Sequence, residues 1–167
     1  MLLFKAFIYL TLVTLITGCG FSPLYKTGKD SYIINVFSQI NILPIKDRTG
    51  QLFSNEIKRL LHPRGKSEKS MYNLKVNLSE ISSSLGVKKS AIATRGNLSI
   101  TATYSLQSAK GLPKIDKSVN KITVSYNKFN SAWATLVAEE DARMRGIRAL
   151  AQEMRHHLGV VLKKHKS

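Results

Sequence analysis

Three runs of alternating apolar and polar residues constrain the fold of this chain more than any other feature. They cover residues 72–79, 98–107 and 121–127. A period of two places the apolar side chains of a strand on one face and its polar side chains on the other. Such strands form antiparallel sheets that pack on a core with one face and meet water with the other. The apolar positions are Tyr72, Leu74, Val76, Leu78, Leu98, Ile100, Ala102, Tyr104, Leu106, Ile122, Val124 and Tyr126.

The segment before these runs predicts one more strand and a helix. Residues 34–45 are rich in apolar side chains and predict a less regular strand, which Pro44 ends. Helical spacing of apolar residues then starts near Thr49, and Pro63 closes this helix.

A long amphipathic helix follows the third alternating run. It begins between Ser131 and Ala138, and its acidic residues 139–141 and basic residues 163–166 are arranged as the helix dipole favours. Its apolar positions are Trp133, Leu136, Val137, Met144, Ile147, Leu150, Ala151, Met154, Leu158 and Val161.

The element order β-α-β-β-β-α predicts an α+β two-layer sandwich. Two helices pack on one face of a four-stranded, mostly antiparallel sheet, and residues 32–167 form this single domain. The second sheet face then remains exposed. Because it carries Lys75, Lys121, Thr and Asn, we expect it to contact an anionic or hydroxyl-rich surface.

Residues 1–18 have the composition of a secretory signal peptide. A single cation, Lys5, precedes the uncharged run 6–16, and two small residues follow. As a helix this run reaches about 16 Å, whereas a bilayer core is about 30 Å thick. Export therefore explains the segment better than a membrane span does.

Cys19, the only cysteine, stands directly after this segment. Residues 15–19 match the bacterial lipobox, in which the cysteine receives a diacylglycerol thioether and further acyl chains such as palmitate. The alternative is a buried core thiol. Lipidation predicts that residues 19–31 form a tether and that acyl chains anchor the protein. Gly20 rather than Asp at the next position favours the outer membrane.

The chain carries 26 Lys and Arg against 10 Asp and Glu, a formal charge of +16. This excess predicts an anionic partner, which charge alone does not identify as nucleic acid, lipid or acidic protein. We expect an anion-binding site at Lys88, Lys89 and Arg95, which cluster beside one strand connection. Further basic groups lie in the next connection and on the last helix: Lys110, Lys114, Lys117, Arg143, Arg145, Arg148, Lys163, Lys164 and Lys166.

A nucleic-acid partner would require that residues 1–18 are not an export signal. Helix, three strands and helix is the element order of a double-stranded RNA-binding domain. However, the strands here are about twice as long as that module uses, the aromatic stacking pattern of an RNA-recognition motif is absent, and an exported protein meets no cytoplasmic RNA. We therefore expect no nucleic-acid partner.

The sequence offers little for catalysis. It has no glycine-rich phosphate loop and no Gly-x-Ser-x-Gly turn. The histidines at 62, 156, 157 and 165 lack metal-ligand spacing and are interpreted as solvated side chains. Residues 139–141 are explained by their place in the helix. We expect no enzyme, no metal and no cofactor other than the covalent lipid on Cys19.

Residues 18–25 resemble the N-terminus of the lipopolysaccharide-assembly lipoprotein family LptE, especially its alphaproteobacterial members. Segments 93–98 and 138–143 agree with the same family. The resemblance implies two helices on a four-stranded sheet, an outer-membrane lipoprotein that plugs the LptD barrel, and a non-enzymatic role in inserting lipopolysaccharide into the outer leaflet. It also implies that the lysines bind lipid phosphates, so that Lys88, Lys89 and Arg95 become the candidate lipopolysaccharide-binding residues. The alternative is a periplasm-facing lipoprotein that binds another anionic envelope polymer without a barrel partner.

Overall fold

The computed structural model describes residues 31–87, 93–110 and 114–166. Cys19, the signal segment and most of the predicted tether lie outside these ranges, as do Lys88 and Lys89. The described part contains three helices and four strands. They are α1 (Ser31–Ser38), β1 (Ile40–Ile42), α2 (Asp47–Leu61), β2 (Tyr72–Val87), β3 (Ala93–Ser108), β4 (Lys114–Asn127) and α3 (Ala132–Lys166).

The four strands form one mixed sheet in the order β1-β2-β3-β4. β1 runs parallel to β2, and the β2–β3 and β3–β4 pairs are antiparallel. The parallel pair follows from the connection, because a strand–helix–strand unit returns its second strand in the direction of the first. The predicted α+β class, with helices on a four-stranded and mostly antiparallel sheet, is confirmed.

Alternation along the strands builds the core as predicted. In β3, Leu98, Ile100 and Ala102 are fully buried, while the intervening Ser99 and Thr101 face away from the core and are partly exposed. The helices bury their apolar stripes against this face. Gly146 of α3 passes so close to the sheet that a Cβ there would lie 2.9 Å from Cδ1 of Ile100.

The strand predicted over 34–45 is wrong for most of its length. Residues 31–38 form α1, and the strand is confined to Ile40–Ile42. Ile33, Val36 and Phe37 are all buried, and their spacing of three and four residues from Ile33 is helical. The β-branched residues of this segment favour a strand locally, but packing of the helical stripe against α2 and α3 overrides that preference.

The two predicted helices are present. α2 ends at Leu61, just before the helix-breaking Pro63. α3 begins at Ala132, inside the predicted window. None of the described helices is both long and apolar enough to cross a bilayer.

The first turns of α3 differ from the prediction. Trp133, Leu136 and Val137 are 73%, 57% and 51% exposed rather than packed, because contact with the core starts at Ala138. The first turn of α3 contains no acidic residue. Since the dipole acts mainly within one turn of a helix end, the dipole explanation for residues 139–141 is wrong.

Candidate functional site

The sheet face turned away from the helices is a mostly polar surface, here called the wetted face. It consists of the odd-numbered side chains of β2, β3 and β4, which register brings side by side. The described side chains are Asn73, Lys75, Asn77, Ser79, Ile81, Ser83, Arg95, Asn97, Ser99, Thr101, Thr103, Ser105, Gln107, Lys117, Val119, Lys121, Thr123, Ser125 and Asn127. None of these carries a carboxylate.

Three lysines meet on one half of the wetted face. Lys75 and Lys117 both pair with Ser105, so that their backbones are two strand spacings apart, about 10 Å. Lys121 lies four residues further along β4, which is two repeats of the pleat and about 13 Å from Lys117. All three are exposed, and no carboxylate of the described residues lies within ion-pair distance of them.

A shallow hollow of about 230 Å³ lies between two of these lysines. It is lined by Lys75, Asn77, Thr103, Tyr104, Ser105 and Lys117. Its chemistry is ammonium groups beside hydroxyl and amide groups, which donate hydrogen bonds to anionic oxygens. The hollow therefore suits a phosphate or a phosphorylated sugar better than an apolar ligand.

Hydroxyl groups order the other half of the wetted face. Ser99 Oγ and Thr123 Oγ1 are 2.9 Å apart, and the Ser125 hydroxyl donates to Asn97 Oδ1 at 2.7 Å. These cross-strand bonds fix side chains of neighbouring strands relative to one another. Each of these hydroxyls is thus hydrogen-bonded to a hydroxyl or an amide group of the neighbouring strand.

The predicted lipid-contact residues are only partly placed by the structure. Lys88 and Lys89 lie outside the described residues. Arg95 is exposed at the start of β3, paired with Asn127 on the wetted face. Six residues separate it from Thr101, the register partner of Lys121, which corresponds to about 20 Å along the strand.

Lys117 was expected in the loop before the last strand, and that placement is wrong. β4 already begins at Lys114, so that Lys117 lies within the strand and on the wetted face. Nothing in the local sequence marks the strand start, because 114–118 alternates only weakly. The predicted exposure of Lys75 and Lys121 on this face is confirmed.

Two arginines of α3, Arg143 and Arg145, form ion pairs within the protein. Arg143 contacts Glu80 at 2.8 Å, Glu139 at 3.0 Å and Glu140 at 2.6 Å. Its hydrogen bonds to Glu80 are the largest of the effects that raise the pKa of Arg143. Arg145 pairs with Asp141. The acidic residues of early α3 thus neutralise arginines of the same helix, and Arg143 ties the helix to β2 through Glu80.

Two histidines also serve the fold, which corrects their interpretation as solvated side chains. His157 Nδ1 lies 2.9 Å from the hydroxyl of buried Tyr104, which donates to Asn120 Oδ1 at 2.8 Å. Burial raises the pKa of Tyr104 to about 12. His62 Nε2 lies 3.1 Å from the Ile40 carbonyl, and burial lowers the pKa of His62. In the described ranges, no three His, Cys, Asp or Glu side chains converge as a metal site.

The fold resembles several solved lipoproteins. A putative lipoprotein from Caulobacter crescentus is 19% identical, with a TM-score of 0.66 over 80% of this chain and 97% of its own. The rare lipoprotein B from Shewanella oneidensis is 13% identical, with a TM-score of 0.59 over 76% and 100%. A minor lipoprotein from Acinetobacter baumannii is 18% identical, with a TM-score of 0.61 over 74% and 92%. At these identities the similarity establishes the fold alone.

A comparison with curated proteins gave no match. The sequence profile of one family does match, and it covers residues 37–158, from α1 into the last third of α3. That range includes all four strands and the whole wetted face. The family is described as LptE, lipopolysaccharide-assembly. Because the match spans most of the chain and the fold is that of solved lipoproteins, this protein belongs to the LptE family of lipopolysaccharide-assembly lipoproteins.

Proposed function

We propose that this protein is lipid-anchored to the outer membrane at Cys19, assembles with and plugs an LptD-type barrel, and binds lipid phosphates through Lys and Arg while lipopolysaccharide is inserted into the outer leaflet. The role is non-enzymatic. The observation that carries the proposal is the wetted face, where Lys75, Lys117 and Lys121 converge without a neighbouring carboxylate of the described residues. Lipid phosphates are anions that such a face attracts.

The wetted face also fits a hydrated surrounding. In a water-filled barrel, the side chains that line the lumen are polar. A sheet face rich in Ser, Thr, Asn and Lys pays little desolvation free energy on entering such a lumen. Its hydrogen-bonding groups stay solvated or find polar partners there. This supports a barrel as the partner.

The anchor supports the proposed location. Residues 19–30 precede α1, and an extended segment of that length reaches at most about 40 Å. The acyl chains of a lipidated Cys19 hold the module within that distance of the membrane surface. Two or more chains are required for stable anchoring.

Binding of purified lipopolysaccharide tests the lipid part of the proposal. The test variant replaces Lys75, Lys117 and Lys121 by Gln. The matched control replaces Lys58, Lys163 and Lys164 by Gln, three exposed lysines on the helices. Both variants lose the same net charge, so that a difference between them reports the place of the charge rather than its amount.

The test variant should bind lipopolysaccharide about tenfold more weakly, since each exposed charge contact contributes up to about 1 kcal/mol. The control should stay within about twofold of the wild type. The test variant should also lose part of the salt dependence of binding, because screening acts on the contacts removed. Equal weakening in both variants would show that only overall charge matters and would refute the assignment to the wetted face.

A further inference from the structure

The outer edge of β2 is a long row of backbone groups without a neighbouring strand. β1 pairs only with residues 72–74 of β2. The last backbone contact across this pair runs from the Leu43 N–H to the Leu74 carbonyl, 3.0 Å. β2 continues to Val87. Within the part of the chain that the structure describes, about 40 Å of this edge therefore has no strand beside it.

The direction of the free groups follows from the contact at Leu74. Its carbonyl faces β1, and the backbone groups of alternate residues point the same way. The N–H and C=O groups of the even-numbered residues 76–84 thus point to the open edge. Those of the odd-numbered residues bond to β3. The open edge presents a complete ladder for one more strand.

This edge lacks the features that usually prevent pairing. Proteins protect exposed edges with Lys, Pro and bulges. β4, at the other side of the sheet, has Lys117 and Lys121 and a register irregularity near its start. Residues 76–87 contain no Lys, Arg or Pro, and their register with β3 is unbroken. Their one charged residue, Glu80, is bound to Arg143.

The side chains along the open edge indicate the chemistry of a partner. At its start, a groove of about 440 Å³ separates residues 43–47 from residues 75–78, and its charged lining residues are Lys46, Lys75 and one carboxylate, Asp47. Six residues further, Ile81 is 67% exposed on the wetted face. Lys75 and Ile81 share that face. A strand beside them is favoured when it carries a carboxylate and an apolar side chain six residues apart.

We propose that the open edge of β2 receives an extended segment of an acidic partner protein as a fifth strand. Backbone hydrogen bonds supply the binding, and the contacts at Lys75 and Ile81 supply specificity. A second copy is disfavoured because each chain carries a formal charge of +16. The inference does not rest on lipid binding. If an LptD-type barrel protein is the partner, the pairing segment is not one of its wall strands, because the strands of a closed barrel leave no free edge.

Hydrogen exchange of the full chain in detergent tests this proposal. The probes are two synthetic peptides of about ten residues that alternate Thr and Val. In each peptide a Glu lies six residues from an apolar position. The Glu is near the N-terminus in one peptide and near the C-terminus in the other, so that parallel and antiparallel pairing are both tested. Peptide should slow exchange at the amides of Leu78, Glu80 and Ser82 and leave those of β4 unchanged. Replacing Glu by Lys in the peptide should weaken binding.

Two matched variants distinguish strand pairing at the edge of β2 from nonspecific binding of the peptide. Ile81→Lys places a lysine on the open edge, whereas Val119→Lys alters an equally exposed residue of the same face, 60% exposed, on β4. The first should weaken peptide binding about fivefold, and the second less than about twofold. Equal effects, or no slowed exchange, would overturn the proposal. Slow exchange at these amides before peptide is added would mean that residues 1–30 or a second copy already pair with the open edge. That result would overturn the proposal as well.

Discussion

Gly96 is a position where the structure predicts a large effect of a single methyl group. It faces the helices in β3, directly opposite Tyr126 of β4, whose ring covers it. A Cβ on Gly96 would lie 2.5 Å from Cζ and 2.8 Å from Cε1 of that ring, whereas ordinary contacts are 3.4–4 Å. Gly96→Ala therefore forces the ring to move by about 1 Å.

The cost follows from what the ring contacts. Tyr126 is 5% exposed, and its hydroxyl donates to Glu139 at 3.2 Å and lies 3.2 Å from Ser82 Oγ. Overpacking costs about 1–3 kcal/mol, and a weakened hydrogen bond to a carboxylate costs about 1 kcal/mol more. Ala is favoured over Gly within a strand by about 0.5–1 kcal/mol. The free energy of unfolding should fall by about 1–3.5 kcal/mol in total.

Urea unfolding at 25 °C measures this change, and a double-mutant cycle tests its cause. In a Tyr126→Val background the ring is gone, and Gly96→Ala should then leave stability unchanged or raise it slightly. The two substitutions should thus be coupled by more than about 1 kcal/mol. If the effects of Gly96→Ala and Tyr126→Val simply add, contact with the ring of Tyr126 is not the reason why Gly96→Ala destabilises the protein.

Three further predictions concern the core, pH and the anchor. Leu150→Ala should lower the free energy of unfolding by about 2–5 kcal/mol because Leu150 is fully buried, whereas Trp133→Ser should change it by less than about 0.5 kcal/mol; urea unfolding that ranks them the other way would contradict the assigned burial. Since burial lowers the pKa of His62, unfolding takes up a proton, and stability should fall as the pH drops below the unfolded value of about 6.5; His62→Gln should reduce this slope, and an unchanged slope would assign it to other groups. Labelled palmitate should enter the wild-type chain but not Cys19→Ala, and equal labelling of both would exclude Cys19 as the anchor.

The architecture could be predicted because its signals are local. Period-two alternation identified the strands, and a stripe at steps of three and four residues identified α3. The same stripe was present at Ile33, Val36 and Phe37, but β-branched residues are equally typical of a strand. Only packing against the other helices decides between the two.

The candidate site was only partly predictable because register is not local. Lys75 and Lys117 are 42 positions apart in sequence and share a row only through Ser105. Clustering along the sequence therefore favoured Lys88, Lys89 and Arg95 instead. Arg143 and Glu80 are likewise separated by 63 positions, and no spacing rule on one helix predicts their contact. Long-range pairing of this kind requires the three-dimensional fold.

Affinity purification of the tagged full chain from envelopes dissolved in mild detergent tests whether this protein works together with a barrel. An LptD-type barrel should co-purify with the wild-type protein, together with lipopolysaccharide. Recovery of lipopolysaccharide without any barrel would refute the barrel partnership and would leave a lipoprotein that binds an anionic envelope polymer alone.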